Sequence, residues 1–153
     1  MNTIIGIDPG KNGGIAWITN GRPCVEKMPD TVQDVWDLIR DIIHSGDPAD
    51  RLSKVCGGIK AYVEQVHSSP QMGVVSAFTF GNGFGHIEMA LTAAGIPFER
   101  IRPAAWQKAM GCMTKGDKNV SKRKAQELFP SMKVTHASAD ALLIAEYGRR
   151  VSQ

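Results

Sequence analysis

The sequence predicts an α/β fold: a five-stranded mixed sheet, three antiparallel strands followed by two parallel ones, flanked by helices. Three observations carry this reading. Between Met1 and Met28 lie three short strand-like runs separated by tight turn signals. After them, segments with helical spacing alternate with two more short apolar runs, the pattern of βα units that lay strands parallel. The first and fourth runs each end on an acid, Asp8 and Glu64.

Ile4-Ile5-Gly6-Ile7-Asp8 reads as a buried strand, closed at once by Pro9-Gly10. Taken alone, Asp8 has two readings of equal weight. It starts a turn through an Asx bond, or it is a half-buried carboxylate that needs a partner such as a metal ion. Gly14 to Ile18 is the second strand, Asn20-Gly21 a hairpin signal, and Pro23 to Met28 the third strand. Asp30 reads as the cap of a helix on which Val32, Val35, Trp36, Ile39 and Ile43 share one face, a core-packing element. Ser45 to Gly58 is irregular.

Ile59 to Gln65 is the fourth strand. Because a helix precedes it, it should lie parallel to the first, which puts Asp8 and Glu64 side by side at one sheet edge. Two neighbouring carboxylates repel unless a proton or a cation lies between them. That coincidence favours Asp8 as a metal ligand.

Met72 to Ala94 is helical, with Gly95 as its C′ residue. Gly73, Ala77, Gly81 and Gly85 make a stripe without side chains, suited to close approach by this chain's own sheet, by a twofold-related helix or by DNA. Phe78, Phe80 and Phe84 suit a core or an interface better than base stacking. Pro97 to Ile101 is the fifth strand, and Pro103 opens a short helix through Met110. Gly111 to Val120 is a basic loop, Ser121 reads as the cap of the next helix, and Ala137 to Arg150 is an amphipathic helix with Asp140 in its first turn. His136 lies four residues before Asp140.

The 153 residues fit one domain, 1–153, with 42% hydrophobic and 22% charged residues. No apolar run reaches the ~20 residues of a membrane span. The N-terminus resembles neither a signal peptide nor an organelle transit peptide. The expected location is therefore cytoplasmic, or the host cytoplasm for a phage-encoded protein. Cys24, Cys56 and Cys112 are too few and too scattered for disulfides or zinc, so Asp and Glu carry the chemistry. The net charge is +3, yet Arg100 to Lys124 alone is +7 and the remainder −4. A solvated helix face normally mixes both signs, so this stretch points to a polyanion. Lys108, Lys115, Lys118, Lys122, Arg123 and Lys124 are the candidate DNA-binding residues.

The motifs IGIDPG, YVEQVHS and ADALLIAEYG, in that order, resemble those of the RuvC-type Holliday junction resolvases, within the ribonuclease H-like superfamily. FTFGNGFG, RPAAWQK and LLIAEYG are more similar to the phage and chloroplast-type branch than to the bacterial enzymes. The resemblance implies that Asp8, Glu64 and Asp140 are catalytic metal ligands. Bacterial members carry one more Asp three residues before the last, and this chain has Ala137 there. His136 resembles a histidine that some branches place before the final helix. Its role as ligand, water-positioning base or neither stays open.

The resemblance further implies a homodimeric, Mg²⁺-dependent endodeoxyribonuclease, with Mn²⁺ substituting and two ions per active site. It would make paired symmetric nicks in four-way junction DNA, leaving 5′-phosphate and 3′-hydroxyl ends. A C₂ dimer suits a twofold substrate. No membrane partner and no nucleotide cofactor are expected. The alternative enzyme is a ribonuclease H-like nuclease acting on another branched or structured nucleic acid. An actin-like ATPase needs a second lobe for which 153 residues leave no room. A non-catalytic junction binder would keep the basic stretch without three placed acids.

Overall fold

The computed structural model describes residues 3–44, 58–113 and 117–152. Most of the irregular stretch after the first helix, together with Cys56 and Lys115, lies outside the described residues. The elements are β1 (Thr3–Asp8), β2 (Gly14–Thr19), β3 (Arg22–Lys27), α1 (Val32–His44) and β4 (Ile59–Glu64). They are followed by α2 (Val74–Ala93), β5 (Phe98–Ile101), α3 (Pro103–Met110), α4 (Lys118–Leu128) and α5 (His136–Val151).

The sheet order is β3-β2-β1-β4-β5, antiparallel on the β2 and β3 side and parallel from β1 through β4 to β5. This is the predicted five-stranded mixed sheet, with β1 at its centre. The Asn20-Gly21 hairpin is as expected, both residues at positive φ (51° and 79°). Period-two alternation on β1 sorts its side chains between two cores. Ile5 and Ile7 join Ile15, Val63, Val35, Ile39, Ile42 and Leu91 under α1 and α2. Ile4 joins Tyr62, Trp106, Leu142 and Leu143 under α3, α4 and α5.

On that second face α5 lies almost against the backbone of β1. A Cβ at Gly6 would stand 2.2 Å from Ala145 N and 2.5 Å from Ala141 O, so only glycine admits the helix. Gly148 repeats the device from the helix side, where a Cβ would meet the Tyr62 ring at 2.3 Å. The stripe in α2 does the opposite. Gly73, Gly81 and Gly85 face open space, so this chain's own sheet is not what they accommodate. Val74, Val75 and Phe78 on the same half of α2 are 86%, 79% and 76% exposed. Phe78 is therefore no core residue, while Phe80 and Phe84 are half-buried.

Two caps and one helix start differ from the sequence reading. The hydroxyl of Thr31, not Asp30, accepts from Asp34 N at 3.1 Å at the start of α1. Asp117, not Ser121, caps α4 by accepting from Asn119 N at 2.9 Å; Ser121 lies inside the helix and is buried. Helix α5 begins at His136, one residue earlier than read, with Thr135 and Ser138 forming a reciprocal capping box. Asp140 consequently lies just beyond the first turn. In each case several nearby oxygens compete for the same orphan N–H groups, and chain direction at the entry selects one.

Candidate active site

Parallel pairing decides where the acids go. β1 and β4 are in register through Ile7 opposite Val63, so Asp8 and Glu64 are the next residues on adjacent strands. Both follow the face of Ile4 and Tyr62 by alternation, which is the face α5 covers. The close crossing at Gly6 sets Ala141 over β1, and Asp140 is the preceding residue of α5. Gly13 packs the far side of Asp8: a Cβ there would meet Asp8 O at 2.0 Å and its carboxyl carbon at 3.0 Å. Strand ends, one helix crossing and one turn glycine thus bring the three predicted acids together.

Their electrostatics record the crowding. Burial, then the charges of Glu64 and Asp140, push the Asp8 carboxyl up to about 8, against a smaller opposing pull from Lys118. Burial also raises Glu64, opposed by a hydrogen bond from Trp106 and reinforced by Asp140. Asp140 is raised by burial and lowered by the Ser121 hydroxyl, Lys118 and His136. Asp140 Oδ1 is, among the described residues, the buried side-chain oxygen that has no hydrogen-bond partner.

The donor set suits a hard cation. All three acids offer oxygen, one buried oxygen lacks a donor, and their mutual repulsion is what a bound cation relieves. Among the described residues no group of three or more His, Cys, Asp or Glu side chains encloses a metal site as it stands.

His136 is exposed at the first position of α5, close enough to Asp140 for its charge to be felt. Thr135, not His136, caps α5. Lys118 acts on both Asp8 and Asp140, so this candidate DNA residue borders the acids. Lys122 and Arg123 line an open pocket on α4 with Asn119, Gln126 and Glu127. Lys108 is exposed on α3, away from that pocket's lining. Lys124 is partly neutralised by Glu127 at 3.2 Å, and Arg100 by Glu88 at 2.5 Å. The basic stretch is therefore less uniform in space than in sequence.

Two residues at the site were not assigned to it from the sequence. Trp106 is fully buried and donates its indole N–H to Glu64 Oε1 at 2.8 Å. Ser121, buried, hydrogen-bonds Asp140 and neighbours Cys112, whose thiol burial and Asp140 push up to about 11. The RPAAWQK segment was visible as a motif, but nothing in its spacing relates Trp106 to an acid 42 residues earlier.

No family model matches the chain, and no curated protein matches it. Solved structures do. A T. thermophilus RuvC in complex with Holliday junction substrate is 19% identical, with a TM-score of 0.63, covering 99% of this chain and 96% of that one. A second Thermus thermophilus RuvC structure is 19% identical, with a TM-score of 0.65, covering 98% and 96%. The chain therefore has the ribonuclease H-like fold of RuvC, the fold that the motifs implied.

Proposed function

We propose that the protein is a divalent-metal-dependent endonuclease that resolves four-way DNA junctions by paired symmetric nicks, leaving 5′-phosphate and 3′-hydroxyl ends. The observation that carries this reading is the convergence of Asp8, Glu64 and Asp140, one buried and two half-buried, with Asp140 raising both other acids and Glu64 raising Asp8, in a fold shared with RuvC. Two Mg²⁺ ions (or Mn²⁺) held by these acids would activate the attacking water, neutralise the phosphate and stabilise the leaving oxygen.

The chain's own residues do the rest. The three carboxylates hold the cations and fix their place relative to the sheet edge. Lys118, bordering the acids, faces the scissile phosphate and offsets its charge. His136, exposed beside Asp140, orients the attacking water from the α5 side and takes up its proton. Lys122 and Arg123 track the phosphate backbone along α4, and Lys108, exposed on α3, adds a further phosphate contact. The exposed apolar half of α2 and its open glycine stripe pair two copies, presenting two opposed sites to a twofold substrate.

The test is a synthetic four-way junction with Mg²⁺, scored for symmetric, ligatable nicks. Asp8→Asn, Glu64→Gln or Asp140→Asn should each abolish cutting and leave junction binding intact or tighter, because each removes a negative charge near phosphate. An uncut junction with the parent protein, or near-normal cutting by any of the three variants, overturns the corresponding assignment.

A further inference from the structure

The protein buries two glutamates and treats them in opposite ways. Glu146 on α5, 5% exposed, is clamped by Arg149 at 2.8 and 2.9 Å and by Arg150 at 2.8 Å. Its charge is spent within the fold, and its carboxyl is held below the usual range despite burial. Glu64, 9% exposed, has no basic partner among the described residues. Its hydrogen bond comes from one neutral donor, the indole of Trp106, at 2.8 Å.

A neutral N–H restrains a carboxylate without cancelling its charge. Arginine in the same place would satisfy the acid and compete with any cation. The indole has a single donor, so it takes one oxygen, Oε1, and leaves Oε2 for another partner. The scaffold around the pair is fixed on both sides. Gln65 N donates to Ile101 O at 2.6 Å, tying the end of β4 to the end of β5. Pro103 starts α3 two residues later, and Gly111, in the left-handed region at φ 67°, ends it, so Trp106 sits in the middle of a short, well-bounded helix. Filling this core space needs only an aromatic ring; the N–H is an addition that packing does not call for.

We infer that Trp106 is a positioning residue for Glu64, holding one carboxylate oxygen through its indole N–H so that the other remains free and correctly turned for a divalent cation. The inference deepens the metal-dependent nuclease reading above and rests on its metal site, not on its DNA substrate. Outer partners of metal-ligating side chains set ligand orientation, and their loss commonly weakens metal binding by ~10–100-fold.

Mn²⁺ titrated into DNA-free protein and followed by electron paramagnetic resonance tests it. 3-Benzothienylalanine at position 106 keeps the bicyclic bulk and loses only the N–H, whereas Trp106→Phe loses the N–H together with part of the ring. Either should weaken Mn²⁺ binding about tenfold or more. Cutting of a junction should then demand correspondingly more metal at unchanged junction affinity, with the maximal rate partly regained at high Mg²⁺. On a Glu64→Gln background, Trp106→Phe should change Mn²⁺ binding no further. A purely structural tryptophan would lower the melting temperature and leave metal affinity alone, which would overturn the inference. The same follows if the parent binds no Mn²⁺ at millimolar concentration, or if Trp106→Phe weakens binding equally with and without Glu64. Should the phenylalanine variant not fold, the benzothienyl isostere carries the measurement. A parent that binds Mn²⁺ in a Trp106-dependent way but leaves junctions uncut would sink the junction reading and leave this one standing.

Discussion

Asp8 illustrates how far a fold can push one side chain. Its carboxyl sits at about 8 because burial and two neighbouring acids disfavour its charge. A group whose folded value lies above its unfolded value of 3.8 stabilises the fold fully below pH ~4, and loses that contribution as pH rises through about 8. Metal-free protein should therefore melt at progressively lower temperature between pH 4 and 8. Asp8→Asn should flatten that slope and raise the melting temperature at pH 8 by on the order of 5 °C. Mg²⁺ should restore the parent at high pH but not the variant. A parent whose melting temperature is flat over this range without metal would contradict the buried, crowded environment. His136 makes a separate prediction. With the cap supplied by Thr135, His136→Ala should leave thermal stability almost unchanged and cut the Mg²⁺-saturated rate by roughly 10²-fold. Thr135→Ala should do the reverse to stability, costing about 1 kcal/mol. An exchange of these two phenotypes would return His136 to a structural role.

Among the elements, α5 and β1 form the contact on which the site depends. Gly6→Ala would drive a Cβ into the backbone of α5 at 2.2 Å, and backbone cannot rotate away as a side chain does. The helix must lift off the strand and take Asp140 with it. The expected result is a loss of more than about 3 kcal/mol in denaturant unfolding, with cutting lost even where the variant stays folded. A Gly6→Ala protein with parental stability would mean that α5 does not cross β1 there. Helix α2 is different in kind. Its glycines meet nothing among the described residues, so no described contact inside one copy repays their cost in helix propensity.

That unpaired stripe bears on the assembled molecule. Gly81→Leu should leave the single chain as well folded as before, since the position is open, while blocking close approach of a second copy. Sedimentation should show the parent as a dimer at micromolar concentration and the variant as a monomer that nicks junctions singly. A monomeric parent that still makes paired cuts would remove α2 from the assembly. Long-range charge adds a second whole-molecule prediction. Replacing Lys118, Lys122 or Arg123 by Gln should each flatten the plot of log affinity against log salt by about one unit. Lys124, engaged by Glu127 at 3.2 Å, should contribute less. Equal slopes for all four variants would show that the ion pair does not hold in solution.

The order of strands and helices was legible in the sequence because each depends on local chemistry: apolar alternation, turn residues and helical spacing. Asp8 and Glu64 could be placed side by side for the same reason, since a helix between two strands makes them parallel and their carboxyl ends coincide. Asp140 was legible through motif order alone. The sequence could not reveal what holds these acids, because such contacts join residues far apart in the chain. Trp106 reaches Glu64 across 42 positions, and Ser121 reaches Asp140 from inside a helix that it does not cap. Nor could it say which glycines were needed for close packing. Gly6 in β1 gave no periodic signal yet sits under α5, whereas the regular stripe of α2 faces open space. Spacing along a chain reports which residues share a face; only the packed structure decides what that face meets.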